Sequence, residues 1–459
     1  MARGKKKETL TPEERLQAAL VPESEQPYPV PGNWCWTRME NIAQWGSGGT
    51  PSRKIPEYYS GDIPWIKTGE LNDDYIFETE EHITEEAISH SSAKLFPVNT
   101  VAIAMYGATI GKVGILGIAA TTNQACACGV SNPSVNYKYL FYYARSQKDS
   151  FIKKGKGGAQ PNISQEIIKS HEVPLPPLPE QHRIVDRIES LFAKLDEAKQ
   201  KAQDALDSFE TRKAAILHKA FTGELTAQWR KEHGVGIETW SSCKLIDILV
   251  EKPRNGYSPK PVDYVTACKS MTLSATTTGV FKPEFFKYID EEIPEDSHLW
   301  LTPGDILIQR ANSLEKVGMS AIYTGAEYEF IYPDLMMKLT VKEPNNKHYI
   351  DYYLKTDEIL NYFRSNATGT AGNMPKINQK VVSETPLILP ETQEQAEIVR
   401  LLDDLLAKEQ QAKEAAEGVL EQIDLIKKAI LARAFRGELG TNDPSEESAV
   451  ELLKQILSC

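Results

Sequence analysis

Residues 180–225 read EQHRIVDRIESLFAKLDEAKQKAQDALDSFETRKAAILHKAFTGEL, and residues 394–439 read EQAEIVRLLDDLLAKEQQAKEAAEGVLEQIDLIKKAILARAFRGEL. The two stretches align without a gap at a constant offset of 214, with about 20 of 46 positions identical. A chain that carries one element twice has to be read as a repeat before any other fold is considered. Each copy has one apolar seam. In the first, Ile184, Ile188, Leu191, Leu195, Ala198, Ala202, Ala205 and Phe209 alternate four and three apart, and the pattern continues to Ile216. In the second, Ile398, Leu402, Leu405, Ala412, Ala416, Val419, Ile423, Ile426 and Ile430 keep the same register, with Glu409 interrupting. A 3.5-residue apolar repeat held over about five heptads is the pattern of helices that pair along a seam. Pro179 suits a helix start, and Gly223 and Gly437 suit helix ends. About 42 residues at 1.5 Å each make a rod of roughly 60 Å. Two matching copies predict that the helices pair with each other, antiparallel. Ile184, Ile188 and Leu191 of the first helix, and Ile398, Leu402 and Leu405 of the second, are expected to carry that pairing.

The repeat reaches into the segments before each helix. Pro161-Asn162-Ile163 matches Pro375-Lys376-Ile377, and Tyr139, Tyr142 and Tyr143 match Tyr349, Tyr352 and Tyr353. Lys112-Val113-Gly114 echoes Lys316-Val317-Gly318, and Ile66-Lys67-Thr68 echoes Cys268-Lys269-Ser270. The offset shifts between these matches, which implies loop insertions. Short β-rich runs such as Val101–Met105 and Asp305–Gln309 lie between Gly, Pro and Asn, while 137–150 and 348–364 read as helices. The expected fold is therefore α+β: two similar globular domains joined by two long antiparallel coiled-coil helices, with an internal pseudo-twofold repeat. The expected boundaries are a flexible lead-in at 1–31, a first domain at 32–175, a helical spacer at 176–232, a second domain at 233–388, a second spacer at 389–440, and a tail with a short helix at 441–459.

Composition narrows the function. The chain has 459 residues, 41% of them apolar and 25% charged, as in an ordinary globular protein. No apolar run approaches the ~20 residues of a membrane span. The basic start has no apolar core after it and does not read as a secretory signal. Six cysteines and eight histidines show no zinc-ligand spacing, and cysteines this sparse fit a reducing cytoplasm. The net charge of −12 excludes a uniformly basic DNA-coating surface, so contact with nucleic acid would have to come from local clusters. Enzyme motifs fail on inspection. Gly107 to Lys112 is one residue short of a P-loop and lacks its Ser/Thr. Pro333-Asp334 lacks the second acidic residue of a nuclease site, and Asn132-Pro133-Ser134 is a turn. No catalytic or metal-binding set is recognisable.

The first long helix is entered through Pro-Leu-Pro-Pro-Leu-Pro-Glu-Gln at 174–181 and left through Lys219-Ala220-Phe221-Thr222-Gly223-Glu224-Leu225, echoed by Arg433-Ala434-Phe435-Arg436-Gly437-Glu438-Leu439. The first domain carries a Gly48-Gly49-Thr50-Pro51-Ser52 turn and Ile63-Pro64-Trp65-Ile66-Lys67. In these motifs the chain resembles the specificity (S) subunits of type I restriction–modification systems and their target-recognition domains. The match covers about 32–440. The resemblance implies a non-catalytic DNA-binding subunit whose two domains each read half of a bipartite site in double-stranded DNA. It also implies helices that fix the half-site spacing and dock two methyltransferase (M) subunits, with restriction (R) subunits in the full complex. S-adenosylmethionine, ATP and Mg would then sit on the partners, with no cofactor on this chain. Two domains related by a pseudo-twofold suit half-sites about one helical turn (~34 Å) apart, and their different sequences imply an asymmetric site. The alternative is a coiled-coil scaffold joining two protein-binding domains.

Candidate DNA contacts follow from local chemistry. Lys153, Lys154, Lys156 and Gln160 lie in or beside a glycine-rich stretch suited to phosphates. Tyr106, Thr109 and Lys112 share one post-strand loop, and Arg310, Asn312 and Lys316 share another; Arg310 suits guanine and Asn312 adenine. Lys376 is the middle residue of the second Pro-x-Ile match. Arg53, Lys54 and Lys67, with Arg254, Tyr257, Lys260 and Lys269, flank the other expected face. The acidic run 70–86 is expected to point away from DNA.

Overall fold

A computed structural model describes residues 11–155, 162–369 and 374–458. The chain divides into two compact units, Met1–Lys201 with Val419–Cys459, and Ala202–Gly418. The helical segments 176–232 and 389–440 are thus each shared between the units.

In the first unit the strands Ala43–Ser47, Cys126–Ser131, Val101–Ala104, Val113–Leu116 and Tyr75–Ile76 form one sheet in that order, and His82–Ile83, Ile63–Ile66 and Thr121–Thr122 form another. Cys35–Arg38 pairs antiparallel with Glu172–Leu175, which brings the start of the domain beside its exit into the long helix. Residues 11–31, expected to be a flexible lead-in, are instead packed. Helix Pro12–Ala19 is closed by a Thr11–Glu14 capping box. Its Leu16 and Ala19 share a core with Leu453 and Ile456 of the C-terminal helix Ala449–Ser458. The apolar face outweighs the prolines around it.

The second unit repeats the plan. Arg254–Asn255, Met336–Leu339, Ile306–Gln309 and Ser320–Ile322 form one sheet, and Pro261–Val262, Phe286–Ile289, Cys268–Met271 and Phe330–Ile331 a second. Ser241–Lys244 pairs with Pro386–Leu389 as the closing strands.

The long helices are Leu178–Asp207, continued by Phe209–Phe221, and Thr392–Ala434. The first was expected to run unbroken. At Ser208 the hydroxyl donates to the carbonyls of Asp204, at 2.8 Å, and Ala205, at 3.2 Å. A serine back-bonding to its preceding turn bends a helix. Within the second unit the helix partners run antiparallel: Lys413 stacks over Phe209, Arg212 binds Glu409 at 2.8 Å, and Arg230 binds Glu394 at 2.6 Å. Glu409, which interrupts the apolar seam, is there as the partner of Arg212. Within the first unit Lys427 lies over Phe192 and binds Asp196 at 2.5 Å. Ile184, Ile188, Ile398 and Leu402 are fully buried. Leu191 and Leu405 are only half-buried, and Phe192 takes the core position beside Leu191. Val419 and Ile426, expected on the seam, are exposed, and Leu425 is 66% exposed. The buried residues here are Ile423, Leu431 and Ala434. Ile423 and Ala434 are eleven residues apart, about three straight turns, so the stripe follows 3.6 rather than 3.5 residues per turn.

Two repeated devices bolt each domain to the helices. Phe435 packs edge-on against Tyr139 and Tyr143, with centroids 5.3 and 5.0 Å away, and Phe221 meets Tyr349 and Tyr353 at 5.3 and 5.1 Å. At each helix start, Gln181 donates to Pro176 O and accepts from the backbone N–H of Asn136 at 2.9 Å; Gln395 does the same with Pro390 and Asn346. The preceding glutamate is buried. Glu180 accepts from Thr441 and Arg183, and Glu394 from Thr226, Arg230 and Trp240. Burial pushes the Glu180 carboxyl up, against the pull of Thr441 and Arg183.

Inside the first domain Lys154 Nζ donates at 2.9 Å to His171 Nδ1, whose Nε2 side meets Gln147 Oε1 at 3.2 Å. Burial, then the Lys154 charge, lowers the His171 pKa from 6.5 to about 4. The unfolded chain binds this proton more readily, so stability is full above pH 6.5 and falls as the pH drops toward 4, by about 3 kcal/mol. Urea denaturation between pH 4 and 7 should show this slope, and His171→Gln should flatten it. By the same measurement Phe435→Ala should cost about 3–5 kcal/mol, whereas Leu425→Ala should stay within about 0.5 kcal/mol.

Candidate nucleic-acid interface

In each domain three loops are drawn to one place by the same backbone bonds. In the first, Gly49 N–H donates to Thr122 O, Met105 N–H to Ala125 O and Ile163 N–H to Met105 O. In the second, Tyr257 N–H donates to Tyr332 O, Arg310 N–H to Leu335 O and Ile377 N–H to Arg310 O. A glycine permits the first contact in both. A Cβ on Gly48 would sit 2.2 and 2.3 Å from the carbonyl oxygens of Thr122 and Asn123, and one on Gly256 would meet those of Tyr332 and Pro333 at the same distances. The loops 48–53, 105–112 and 122–125 thus correspond to 256–260, 310–319 and 332–335.

This correspondence corrects two sequence echoes. Gly111 N–H bonds Ala104 O and Gly318 N–H bonds Gln309 O, and both glycines have positive φ, 74° and 85°. Lys112 is therefore the counterpart of Met319, not of Lys316. Trp65 pairs in parallel with Thr121 as Ser270 does with Ile331. Ile66-Lys67 thus corresponds to Met271-Thr272, not to Cys268-Lys269. Sequence identity was the weaker guide because the loops differ in length.

The candidate residues separate into those at the cluster and those beside it. Tyr106 is 45% exposed at the loop tip, where Thr109 Oγ1 caps its carbonyl at 2.8 Å. Lys112 is half-buried behind it. Arg310 takes the place that buried Met105 holds in the first domain. One of its terminal nitrogens donates to Asp334 O at 3.2 Å, and its enclosed Nε has no partner among the described residues. Asn312 Nδ2 donates to Gln309 Oε1 at 2.6 Å, and its Oδ1 accepts from Ser313 N–H. Lys376 is exposed, its backbone bridged to Ala311 and Thr368. Tyr257 is 43% exposed and donates to Glu291 at 3.1 Å. Lys54 and Lys260 are exposed in the glycine-led loops, and Lys316 is half-buried in its own.

Other cations are occupied. Arg53 binds Glu81 at 2.6 Å and lies over Tyr59 and Trp65, and Lys67 binds Glu80 and Glu81 at 3.0 Å. Of the acidic run 70–86, Glu80 and Glu81 thus hold these cations. Salt-bridging to Arg53 and Lys67 outweighs burial and holds the Glu81 carboxyl low. Arg254 pairs with Glu251 at 2.7 Å, and Lys269 with Glu329 at 3.2 Å over the rings of Phe286 and Phe330. Lys153 is exposed at the end of helix Lys148–Lys154, while Lys154 is engaged with His171. Lys156 and Gln160 lie outside the described residues.

Four residues at the cluster, Thr50, Gln124, Ser258 and Asp334, were not among the expected DNA contacts, although Thr50 and Asp334 stand in stretches singled out for other reasons. Thr50 Oγ1 donates to Gln124 Oε1, and Ser258 Oγ donates to Asp334 Oδ1 at 2.5 Å. Each hydroxyl lies two residues after the buttressing glycine, and Gln124 and Asp334 are exposed. The spacing Gly48-Gly49-Thr50 against Gly256-Tyr257-Ser258 was the available signal, but no charge marks it.

Among the described residues no group of three His, Cys, Asp or Glu side chains could hold a metal ion, and no helix is long and apolar enough to cross a membrane. The chain is similar to the type I restriction enzyme EcoKI specificity subunit of Escherichia coli K12, 24% identical over 93% of this chain and 95% of that protein. It is 33% identical to the MjaIX specificity subunit of Methanocaldococcus jannaschii over 39% of this chain and 42% of that one. The solved HsdS subunit from Thermoanaerobacter tengcongensis shares the fold, with a TM-score of 0.60 at 17% identity over 90% of this chain and all of that one. A chain from a solved type I R-M assembly does so at 0.66 and 18%, with the same coverage. Residues 31–206 and 255–418 both match the type I restriction modification DNA specificity domain, and the chain belongs to that family.

Proposed function

We propose that this chain is the sequence-reading DNA-binding subunit of a type I restriction–modification enzyme, each domain reading one half of an asymmetric bipartite site. The observation that carries the reading is the three-loop cluster built twice on the same backbone bonds with different side chains. A repeated frame with exchangeable tips is what reading two different half-sites requires. Its polar tips can meet base edges, and exposed Lys54, Lys153, Lys260 and Lys376 can meet phosphates. Two M subunits would dock along the helices, where Val419, Leu425 and Ile426 leave an exposed apolar strip. R subunits would complete the complex, in the cytoplasm. The catalytic chemistry, with S-adenosylmethionine, ATP and Mg, would belong to those partners, so the chain itself would not be catalytic.

Mapping methylated adenines in cells that carry this chain with its partner subunits tests the reading; it should give one split, asymmetric motif. Four residues inserted after Ala202, about one turn or ~6 Å, should lengthen the gap in that motif and leave its bases unchanged. An altered base preference with the old gap would overturn the spacer role. Arg310→Ala should cost about 1–3 kcal/mol at one base pair of one half-site. Lys54→Ala with Lys153→Ala should weaken all sequences alike and flatten the salt dependence by about one unit of slope per lost contact, read by duplex binding at two salt concentrations.

A further inference from the structure

Within the proposed DNA-reading role, we infer that Gln124 and Asp334 are specificity-determining residues, Gln124 pairing with an adenine and Asp334 accepting from the amino group of a cytosine. The two occupy the same point of the repeated frame. Each follows the residue whose carbonyl oxygen faces the buttressing glycine, Asn123 before Gln124 and Pro333 before Asp334. Each is held by the hydroxyl two residues beyond that glycine. Each precedes the carbonyl that anchors the neighbouring loop, Ala125 O for Met105 and Leu335 O for Arg310. Both side chains are exposed. The frame therefore presents one side chain per domain in a fixed place, and that side chain differs in chemistry.

The bonds already made define what is left to offer. Asp334 takes Ser258 Oγ on Oδ1 and gives its own N–H to Ser258 Oγ at 3.1 Å. Its Oδ2 has no partner among the described residues. A carboxylate is repelled by phosphate and has acceptors only, so it suits an amino donor on a base edge. Among bases read in the major groove, cytosine N4 is the donor that acidic side chains take. Gln124 spends one lone pair of Oε1 on Thr50. It keeps the other, together with the Nε2 donors, for the acceptor–donor pair that adenine N7 and N6 present. The hydroxyls act as positioning residues. Arg310, which contacts the Asp334 carbonyl, places a guanine-type donor next to the cytosine acceptor.

The test is the methylation map of cells carrying the full chain with its partner subunits, for wild type, Gln124→Ala and Asp334→Asn. Asp334→Asn preserves size and the bond to Ser258 while adding a donor. The wild-type motif should contain a C·G pair in one half-site. Asp334→Asn should lower discrimination there by roughly five- to 150-fold, and Gln124→Ala should relax one A·T pair in the other half-site only. Exchanging the two residues, Gln124→Asp with Asp334→Gln, should exchange the preferences. A wild-type map without a split motif overturns the DNA-reading role and this assignment with it. A split motif that lacks a C·G pair in either half, or that survives both single substitutions unchanged, overturns the assignment alone. Melting curves separate the readings if a variant loses affinity: a mere turn brace would lower the melting temperature and weaken all sequences alike.

Discussion

The buried Glu-Gln pair at the start of each long helix is the constraint on which the rest depends. An amide and a carboxylate withdrawn from water cost free energy unless every polar atom is met, and both copies meet them the same way. The glutamine bonds the carbonyl before the helix and the N–H of Asn136 or Asn346, so the helix start is tied to the cap of the tyrosine-bearing helix. The glutamate turns the other way, to Thr441 in one unit and Thr226 in the other. Two adjacent residues thus fix the domain, its own outgoing helix and the end of the returning one. In the second unit the arrangement includes a buried ion pair, Arg230 with Glu394; removing one partner there would strand the other charge.

That rigidity explains how reading chemistry can differ between domains without a change of fold. The loops are held by backbone bonds and by two glycines that admit no side chain, so the exposed tips carry little structural duty. Electrostatics is arranged with the same economy. The chain is acidic overall, and Arg53, Lys67, Arg254 and Lys269 are matched with carboxylates. Such pairs can hand their cation to a phosphate only by leaving a carboxylate behind, which keeps non-specific attraction low. Lys54, Lys260 and Lys376, in loops, and Lys153, at a helix end, have no such partner among the described residues.

The helices and their pairing were legible because periodicity and duplication are global signals that survive divergence. Their irregularities were not: the bend at Ser208 and the exposure of Val419 and Ile426 arise from a hydroxyl's local choice and from a few degrees of helical drift. Of the site, the loops around Tyr106 and Arg310 were visible as polar turns after strands. Thr50, Gln124, Ser258 and Asp334 were hidden, since uncharged or isolated side chains gain meaning only from the glycine contacts that bring them together. Matching Lys112 to Lys316 failed for the opposite reason: like residues in loops of unequal length invite a false register.

The uneven sharing of the chain between the units has a consequence for synthesis. The unit spanning 202–418 is contiguous, so all of its core has been synthesised once that stretch is made. The other is not: Tyr139, Tyr143 and Ile188 are made early, yet their neighbours Leu431, Phe435 and Leu453 come last. The first domain to be translated is therefore the last to be finished, and until residue 435 emerges its tyrosines lack the ring that covers them. A chain released shortly after 418 would have the second unit whole and the first with an open core, the kind of surface that chaperones hold.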